Sequence, residues 1–154
     1  MTIRVELPGA GALALEHLVL DLNGTLTDRG RLLDGVAARL AELARRLDVH
    51  LLSSDTFGTL GAVADALGVE ATAAATGADK VRVLERLGAE RCAAIGNGAN
   101  DAGMLAAAAL GIAVVGPEGA AGSALRAADV VCRSILEALD LLRDERALVA
   151  TLRA

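Results

Sequence analysis

The chain has 154 residues, the size of one domain, with 54% hydrophobic residues, 23% charged residues and a mean hydropathy of +0.49. That is enough apolar material for a packed core and excludes a disordered chain. The longest uncharged stretch, Ala102 to Pro117, is rich in alanine and glycine and falls short of the roughly 20 apolar residues of a membrane span. A net charge of −5 lacks the basic footprint needed for nucleic acid or anionic lipid. Glu16 and His17 interrupt the first apolar run, so no signal peptide is expected, nor, with two cysteines, a disulfide scaffold. The expectation is a compact, acidic, cytoplasmic domain with no nucleic-acid or membrane partner.

In chain order, Thr2 to Leu7 and Ala12 to Glu16, joined by Pro8-Gly9-Ala10-Gly11, predict a small N-terminal β-hairpin extension over residues 1–16. His17-Leu18-Val19-Leu20 reads as a buried strand. A Gly/Thr/Asp-rich loop follows, and residues 23–33 have room for a small flap. Val36, Leu40, Leu43 and Leu47 recur at helical spacing, Val49 to Leu52 is a second buried strand, and Gly58 to Leu67 is a helix stopped by Gly68. Asp79 to Leu87 is amphipathic, Arg91 to Ile95 a strand, and Asp101 to Ala109 an alanine-rich helix. Ile112 to Val115 is a strand, Ala120 to Ala127 a helix, Val130 to Cys132 a short strand. Ile135 to Leu142 and Glu145 to Leu152 are closing helices. Near-continuous apolar strands alternating with helices predict an α/β fold, a single doubly wound, Rossmann-like parallel sheet with helices on both faces, over residues 1–154.

Ligands of such sheets bind beyond the carboxyl ends of the strands. The residues there are Asp21, Asn23, Gly24 and Thr25 after the first strand, Ser53, Ser54, Asp55 and Thr56 after the second, and Gly96, Asn97, Gly98, Asn100 and Asp101 after a third. Lys80, the only lysine beside fourteen arginines, opens the helix before that third strand and marks a place that wants a compact ammonium rather than a planar fork. Asp21 alone reads as a phosphoryl-accepting nucleophile, a metal ligand or a turn cap. With Asp101 it offers the two carboxylates that Mg²⁺ usually takes, with Asn97 and a carbonyl near Asn23 as neutral oxygens. Ser53 or Ser54 could bond a phosphate oxygen, Lys80 could neutralise it, and loop N–H groups around Gly24 and Thr25 could cradle it. Gly96-Asn97-Gly98 opens like a dinucleotide fingerprint, but Asp101 stands at the third glycine position and would repel pyrophosphate. His17 and His50 read as core histidines, and Cys92 and Cys132 as inert thiols in apolar strands.

Taken together, Asp21-Leu22-Asn23-Gly24-Thr25-Leu26-Thr27, Ser53, Lys80 and Gly96-Asn97-Gly98-Ala99-Asn100-Asp101 resemble the four ordered motifs of the haloacid dehalogenase superfamily. The wording of the first and last resembles its soluble P-type ATPase-like members. The resemblance implies that Asp21 attacks phosphorus and forms an aspartyl-phosphate. It implies Mg²⁺ held by Asp21, the Asn23 carbonyl and Asp101, with Asn97, and phosphoryl oxygens held by Ser53 and Lys80. Gly24, Thr25, Ser54 and Asn100 are the further candidate substrate contacts.

Two departures stand out. Phosphatases of the family carry a general acid and base two residues after the nucleophile, where this chain has Asn23, which cannot transfer a proton; that loss is worth about 10²–10⁴ in rate. Asn97 replaces another carboxylate, so Mg²⁺ should bind more weakly. Both asparagines precede glycine and can deamidate. The gaps from Asp21 to Ser53 and from Ser53 to Lys80 hold no cap domain, which points to a macromolecular substrate or to a homo-oligomer covering the site, with the N-terminal hairpin as candidate contact. The alternatives are a catalytically degenerate domain that binds phosphate or a partner, and a two-component receiver, disfavoured because Asp21 stands alone at its strand. Substrate identity would rest on the flap, on Asp55 to Thr59, or on another subunit, with Phe57 as the only aromatic.

Overall fold

A computed structural model describes residues 1–54 and 58–154; the readings of Asp55, Thr56 and Phe57 lie outside the described residues. Strands β1 (Ile3–Leu7) and β2 (Gly11–Leu15) form the antiparallel N-terminal hairpin. Gly9, at φ +77°, turns between them, and the Ala10 N–H donates to Leu7 O. There follow β3 (His17–Asp21), the two-residue strands β4 (Thr27–Asp28) and β5 (Arg31–Leu32), α1 (Val36–Leu43), β6 (Asp48–Ser53), α2 (Leu60–Leu67), β7 (Glu70–Ala73) and α3 (Gly77–Leu87). The remainder is β8 (Cys92–Gly96), α4 (Ala102–Ala107), β9 (Leu110–Val114), α5 (Gly122–Ala127), β10 (Val130–Cys132), α6 (Ile135–Arg143) and α7 (Glu145–Leu152). The paired β4 and β5 are the flap, and no cap domain interrupts the described chain.

Six parallel strands lie in the order β10-β9-β8-β3-β6-β7. The chain builds outward from β3 to β6 and β7, then returns with β8 to the other side of β3. The sheet order therefore reverses between β3 and β8, the place where open α/β sheets open a crevice.

Alternate residues of each central strand enter two cores. Leu18, Leu20, Leu51, Ala93 and Ile95 pack with Val36, Leu40, Leu43, Leu139, Leu142 and Leu148 from α1, α6 and α7. Val19, Leu52, Cys92 and Ala94 pack with Val83, Leu84, Met104, Leu105 and Ala124 from α3, α4 and α5. The hairpin is part of the first core: Ile3, Val5, Leu7, Leu13 and Leu15 are buried in it. Among the described residues no helix is long and apolar enough to cross a membrane.

Strand β7 has no counterpart in the sequence reading, and its composition says why. Three of its four residues are exposed, so neither a continuous apolar run nor an alternating pattern betrays it. It is an edge strand held by backbone pairing to β6, from His50↔Glu70 to Ser53↔Ala73. Helix α2 begins at Leu60 rather than Gly58, whose φ of +65° is outside the helical region.

The close seating of α4 on the sheet depends on Gly111. A Cβ there would collide with the Leu105 carbonyl oxygen, a backbone atom with no freedom to move aside. Gly111→Ala is expected to cost about 1–3 kcal/mol, read as a lowered urea midpoint with an unchanged m-value.

Candidate active site

Asp21 ends β3 and Gly96 ends β8, the two strands that flank the reversal of the sheet. Lys80 arrives from the opposite direction. The Thr76 hydroxyl accepts the Asp79 N–H at 3.1 Å while the Thr76 N–H donates to Asp79 Oδ2 at 3.0 Å, a reciprocal cap that starts α3. One turn later Lys80, Val83 and Leu84 share the buried face of the helix.

These elements bring together the residues that the sequence keeps 59 and 21 positions apart. Lys80 Nζ donates to Asp21 Oδ1 at 2.8 Å and to Asp101 Oδ1 at 2.6 Å, with all three side chains nearly or wholly buried. Asp101 Oδ2 accepts the backbone N–H of Asn97 at 3.0 Å and of Gly98 at 2.9 Å. The loop after β8 is thus folded around this carboxylate. Gly96 is small for the same reason, since a Cβ there would lie 2.5 Å from Asp101 Cγ.

Thr25 Oγ1 lies 3.0 Å from Asp21 Oδ2 and 3.2 Å from Asn97 Oδ1, one hydroxyl placed between two acceptors. Its backbone N–H donates to Leu22 O at 3.3 Å, so the hydroxyl rather than the amide faces the site. Asn97 Nδ2 donates to Gly119 O at 3.1 Å. Asn23 Nδ2 donates to Ser53 Oγ at 3.0 Å, whereas Asn23 Oδ1 is a buried acceptor with no hydrogen-bond partner among the described residues. Ser54 and Asn100 are exposed at the rim.

The electrostatics follow from this burial. Desolvation, and then the charge of Asp101, push the Asp21 carboxyl up to about 6, against the pull of Lys80 and Thr25. Burial pulls the Lys80 ammonium down, but its two carboxylates outweigh that and hold its pKa above the usual lysine value. Two carboxylates and one ammonium leave the cluster one negative charge in excess, with both carboxylates aimed at a single point. Magnesium is bound through one or two carboxylates and neutral oxygens, so Asp21, Asp101 and the backbone carbonyl of Asn23 are a suitable donor set.

One contributor was missed from the sequence. The Gly116 and Gly119 backbones pair at 2.9 and 3.3 Å, and the tight turn between them carries Pro117 and Glu118 at its tip. A Cβ on Gly24 (φ +76°) would fall 2.6 Å from Glu118 Oε2 and 3.2 Å from Asn97 Nδ2. A Cβ on Gly116 would collide with the Gly24 carbonyl oxygen. Glu118 is therefore a third carboxylate at the site mouth. The signal was the turn chemistry of Gly116-Pro117-Glu118-Gly119 directly after a strand. Beside Thr25, an open pocket of about 450 Å³ runs between the flap and α6, walled by Leu33, Val115, Pro117 and Ile135.

The haloacid dehalogenase-like hydrolase family matches residues 4–109, well over half of the chain. An uncharacterized protein of Methanocaldococcus jannaschii is 45% identical over 78 residues, covering 48% of this chain and 84% of that protein. Among solved structures, a haloacid dehalogenase family hydrolase of Streptomyces avermitilis superposes with a TM-score of 0.69 at 22% identity, covering 83% of this chain and 84% of its own. The 3-deoxy-D-manno-octulosonate 8-phosphate phosphatase of Moraxella catarrhalis, solved in complex with a magnesium ion, a phosphate ion and KDO, gives a TM-score of 0.64 at 17% identity, covering 90% and 94%. At such identities these two likenesses bear on the fold alone. From the sequence match, the fold and the ordered motifs, the chain belongs to the haloacid dehalogenase-like hydrolase family.

Proposed function

We propose that the chain is a slow, Mg²⁺-dependent phosphohydrolase or phosphotransferase working through an aspartyl-phosphate on Asp21. The single observation that carries this reading is the buried Asp21–Lys80–Asp101 cluster at the reversal of the sheet. A scaffold has no physical need of two buried carboxylates around its only lysine. The phosphatase of M. catarrhalis holds magnesium and phosphate on the same fold, which supports the same chemistry here.

In this mechanism a carboxylate oxygen of Asp21 attacks phosphorus, the ester P–O bond breaks, and the leaving oxygen takes its proton from water. A second water then attacks the acyl-phosphate and returns Asp21 to its carboxylate. Lys80 and Ser53 hold phosphoryl oxygens, with Gly24, Thr25, Ser54 and Asn100 lining the substrate. Asp21, Asp101 and the Asn23 backbone carbonyl would hold Mg²⁺, with Asn97 beside them; bound there, the ion neutralises charge on the transferring group. Asn23 supplies no proton, which makes leaving-group departure and hydrolysis slow. A second copy of the chain covering the capless site belongs to the same proposal.

A second reading, a degenerate domain that binds phosphate or a partner without turnover, is favoured by the amides at positions 23 and 97. The test is Mg²⁺-dependent phosphate release over a panel of phosphomonoesters and ATP, on protein shown by mass to be undeamidated. Asp21→Asn is expected to abolish release. Activity equal in Asp21→Asn would refute Asp21 as nucleophile. No release from the parent, together with measurable phosphate binding, would establish the degenerate reading.

A further inference from the structure

Thr25 belongs to two places at once. Its hydroxyl lies 3.0 Å from Asp21 Oδ2, and the same residue forms one wall of the open pocket of about 450 Å³ between the flap and α6. Gly116 makes a second link. It lines the pocket, and it sits so close to the loop after Asp21 that a Cβ on it would collide with the Gly24 carbonyl oxygen. The pocket therefore adjoins the loop that follows Asp21, and its volume is that of a small-molecule site, roughly 300–1,000 Å³.

The chemistry of the walls is one-sided. Leu33, Val115, Pro117, Ile135 and Leu136 supply apolar surface, and Val115 is 45% exposed, a large apolar side chain left open to solvent. Of the lining residues Asp34 alone is charged, and no lysine or arginine among the described residues lines the pocket. Glu118 adds a carboxylate beside Gly24. Arg133, which precedes the lining residue Ser134, is engaged by Glu137 at 2.7 and 3.2 Å. The amino end of α6 offers an anion little: Ser134 Oγ accepts the Glu137 N–H at 3.2 Å, and Glu137 places a carboxylate in the first turn.

Given the phosphoryl site proposed on Asp21, we infer that the substrate is a phosphomonoester of an uncharged, largely apolar alcohol, whose organic part is seated in this pocket. The phosphoryl end meets the ammonium of Lys80, whereas the organic end meets apolar walls and carboxylates. Burial of hydrocarbon against those walls is favourable. A second anionic group, such as the carboxylate of a sugar acid or the further phosphates of a nucleotide, would stand unpaired beside Asp34 and Glu118. Selection thus combines walls that attract with carboxylates that exclude.

Titration calorimetry of the full chain in saturating Mg²⁺ tests this with three non-hydrolysable phosphonates that differ at their far end. 2-Phenylethylphosphonate is expected to bind about tenfold tighter than ethylphosphonate, and 2-carboxyethylphosphonate more weakly than ethylphosphonate. Val115→Lys, at an exposed position, is expected to abolish the preference for the phenyl group and to strengthen binding of the carboxylate compound. Phe57 and two histidines are the only aromatic side chains in the chain, so the phenyl protons of the ligand stand clear in the NMR spectrum. Nuclear Overhauser effects from them to the methyls of Val115, Ile135 and Leu136 are expected. Equal affinities for the three compounds, or Overhauser effects to Phe57 instead, would overturn the assignment of the pocket while phosphoryl binding at Asp21 stands. So would a Val115→Lys variant that changes the oligomeric state in sedimentation but not the phenyl preference, which would make this face an interface between copies. Binding of none of the three, ethylphosphonate included, would overturn the reading of the Asp21 site and this proposal with it.

Discussion

Replacing Lys80 by Met is expected to be the most destabilising substitution in the site, costing about 3–5 kcal/mol. The methionine has nearly the same length and volume, so no cavity opens; what changes is charge. Asp21 Oδ1 and Asp101 Oδ1 both rest on the same ammonium, at 2.8 and 2.6 Å. Without it, two buried carboxylates face one another. Backbone N–H groups still serve Asp101, and the Thr25 hydroxyl still serves Asp21, but neither supplies a positive charge. Against a total stability of about 5–15 kcal/mol, the variant stands near its unfolding threshold.

The deficit should depend on pH in a defined direction. The Asp21 carboxyl is already raised to about 6 by burial and by Asp101, and loss of Lys80 removes the charge that opposes the rise. A carboxyl with a raised folded pKa gives stability that is present at low pH and lost as pH rises through that value. Lys80→Met should therefore fall furthest below the parent at pH 8 and approach it near pH 5. Urea unfolding in EDTA at the two pH values measures this. Repeating it with Mg²⁺ gives a readout of metal binding independent of turnover, since a cation between Asp21 and Asp101 restores part of the loss. Lys80→Arg is no substitute, because a planar fork cannot occupy a fully buried slot shaped for a compact ammonium.

Asn23→Asp is expected to raise phosphate release by about 10²–10⁴, the usual worth of a positioned proton donor and acceptor. The local geometry is ready for it. Asn23 Nδ2 already donates to Ser53 Oγ at 3.0 Å, and a hydroxyl can instead donate to a carboxylate oxygen. Asn23 Oδ1 is a buried acceptor with no partner among the described residues, so none of these engages the second oxygen of an aspartate there. The gain should appear in kcat and bring a pH-dependent limb absent from the parent. A steady-state pH–rate profile of both proteins checks it; equal rates would place the slow step elsewhere than in proton transfer.

The strand residues show where a sequence reading succeeds. Leu18, Val19, Leu20, Leu51, Leu52, Ala94 and Ile95 are apolar on both faces because the central strands are covered on both sides. β7 was missed because an exposed edge strand is specified by its neighbour's backbone rather than by its own side chains. The hairpin was read correctly as a hairpin, but the burial of Ile3, Val5 and Leu15 in the main core is a matter of packing that five alternating residues cannot declare.

The site divides along the same line. Local chemistry marked Asp21, Lys80 and Asp101 in the sequence itself: a carboxylate closing an apolar strand, a lone lysine among arginines, and an aspartate in a glycine-rich loop. The α/β class and the loops that meet were legible from the order of the elements, and family membership from the resemblance of the ordered motifs. Tertiary structure alone decided that Lys80 bridges both carboxylates, that the Thr25 hydroxyl sits between Asp21 and Asn97, and that Glu118 reaches Gly24. Each of these is a contact across at least two elements. It depends on strand order, register and the seating of a helix, which arise from the summed packing of both cores and are written in no single stretch of chain.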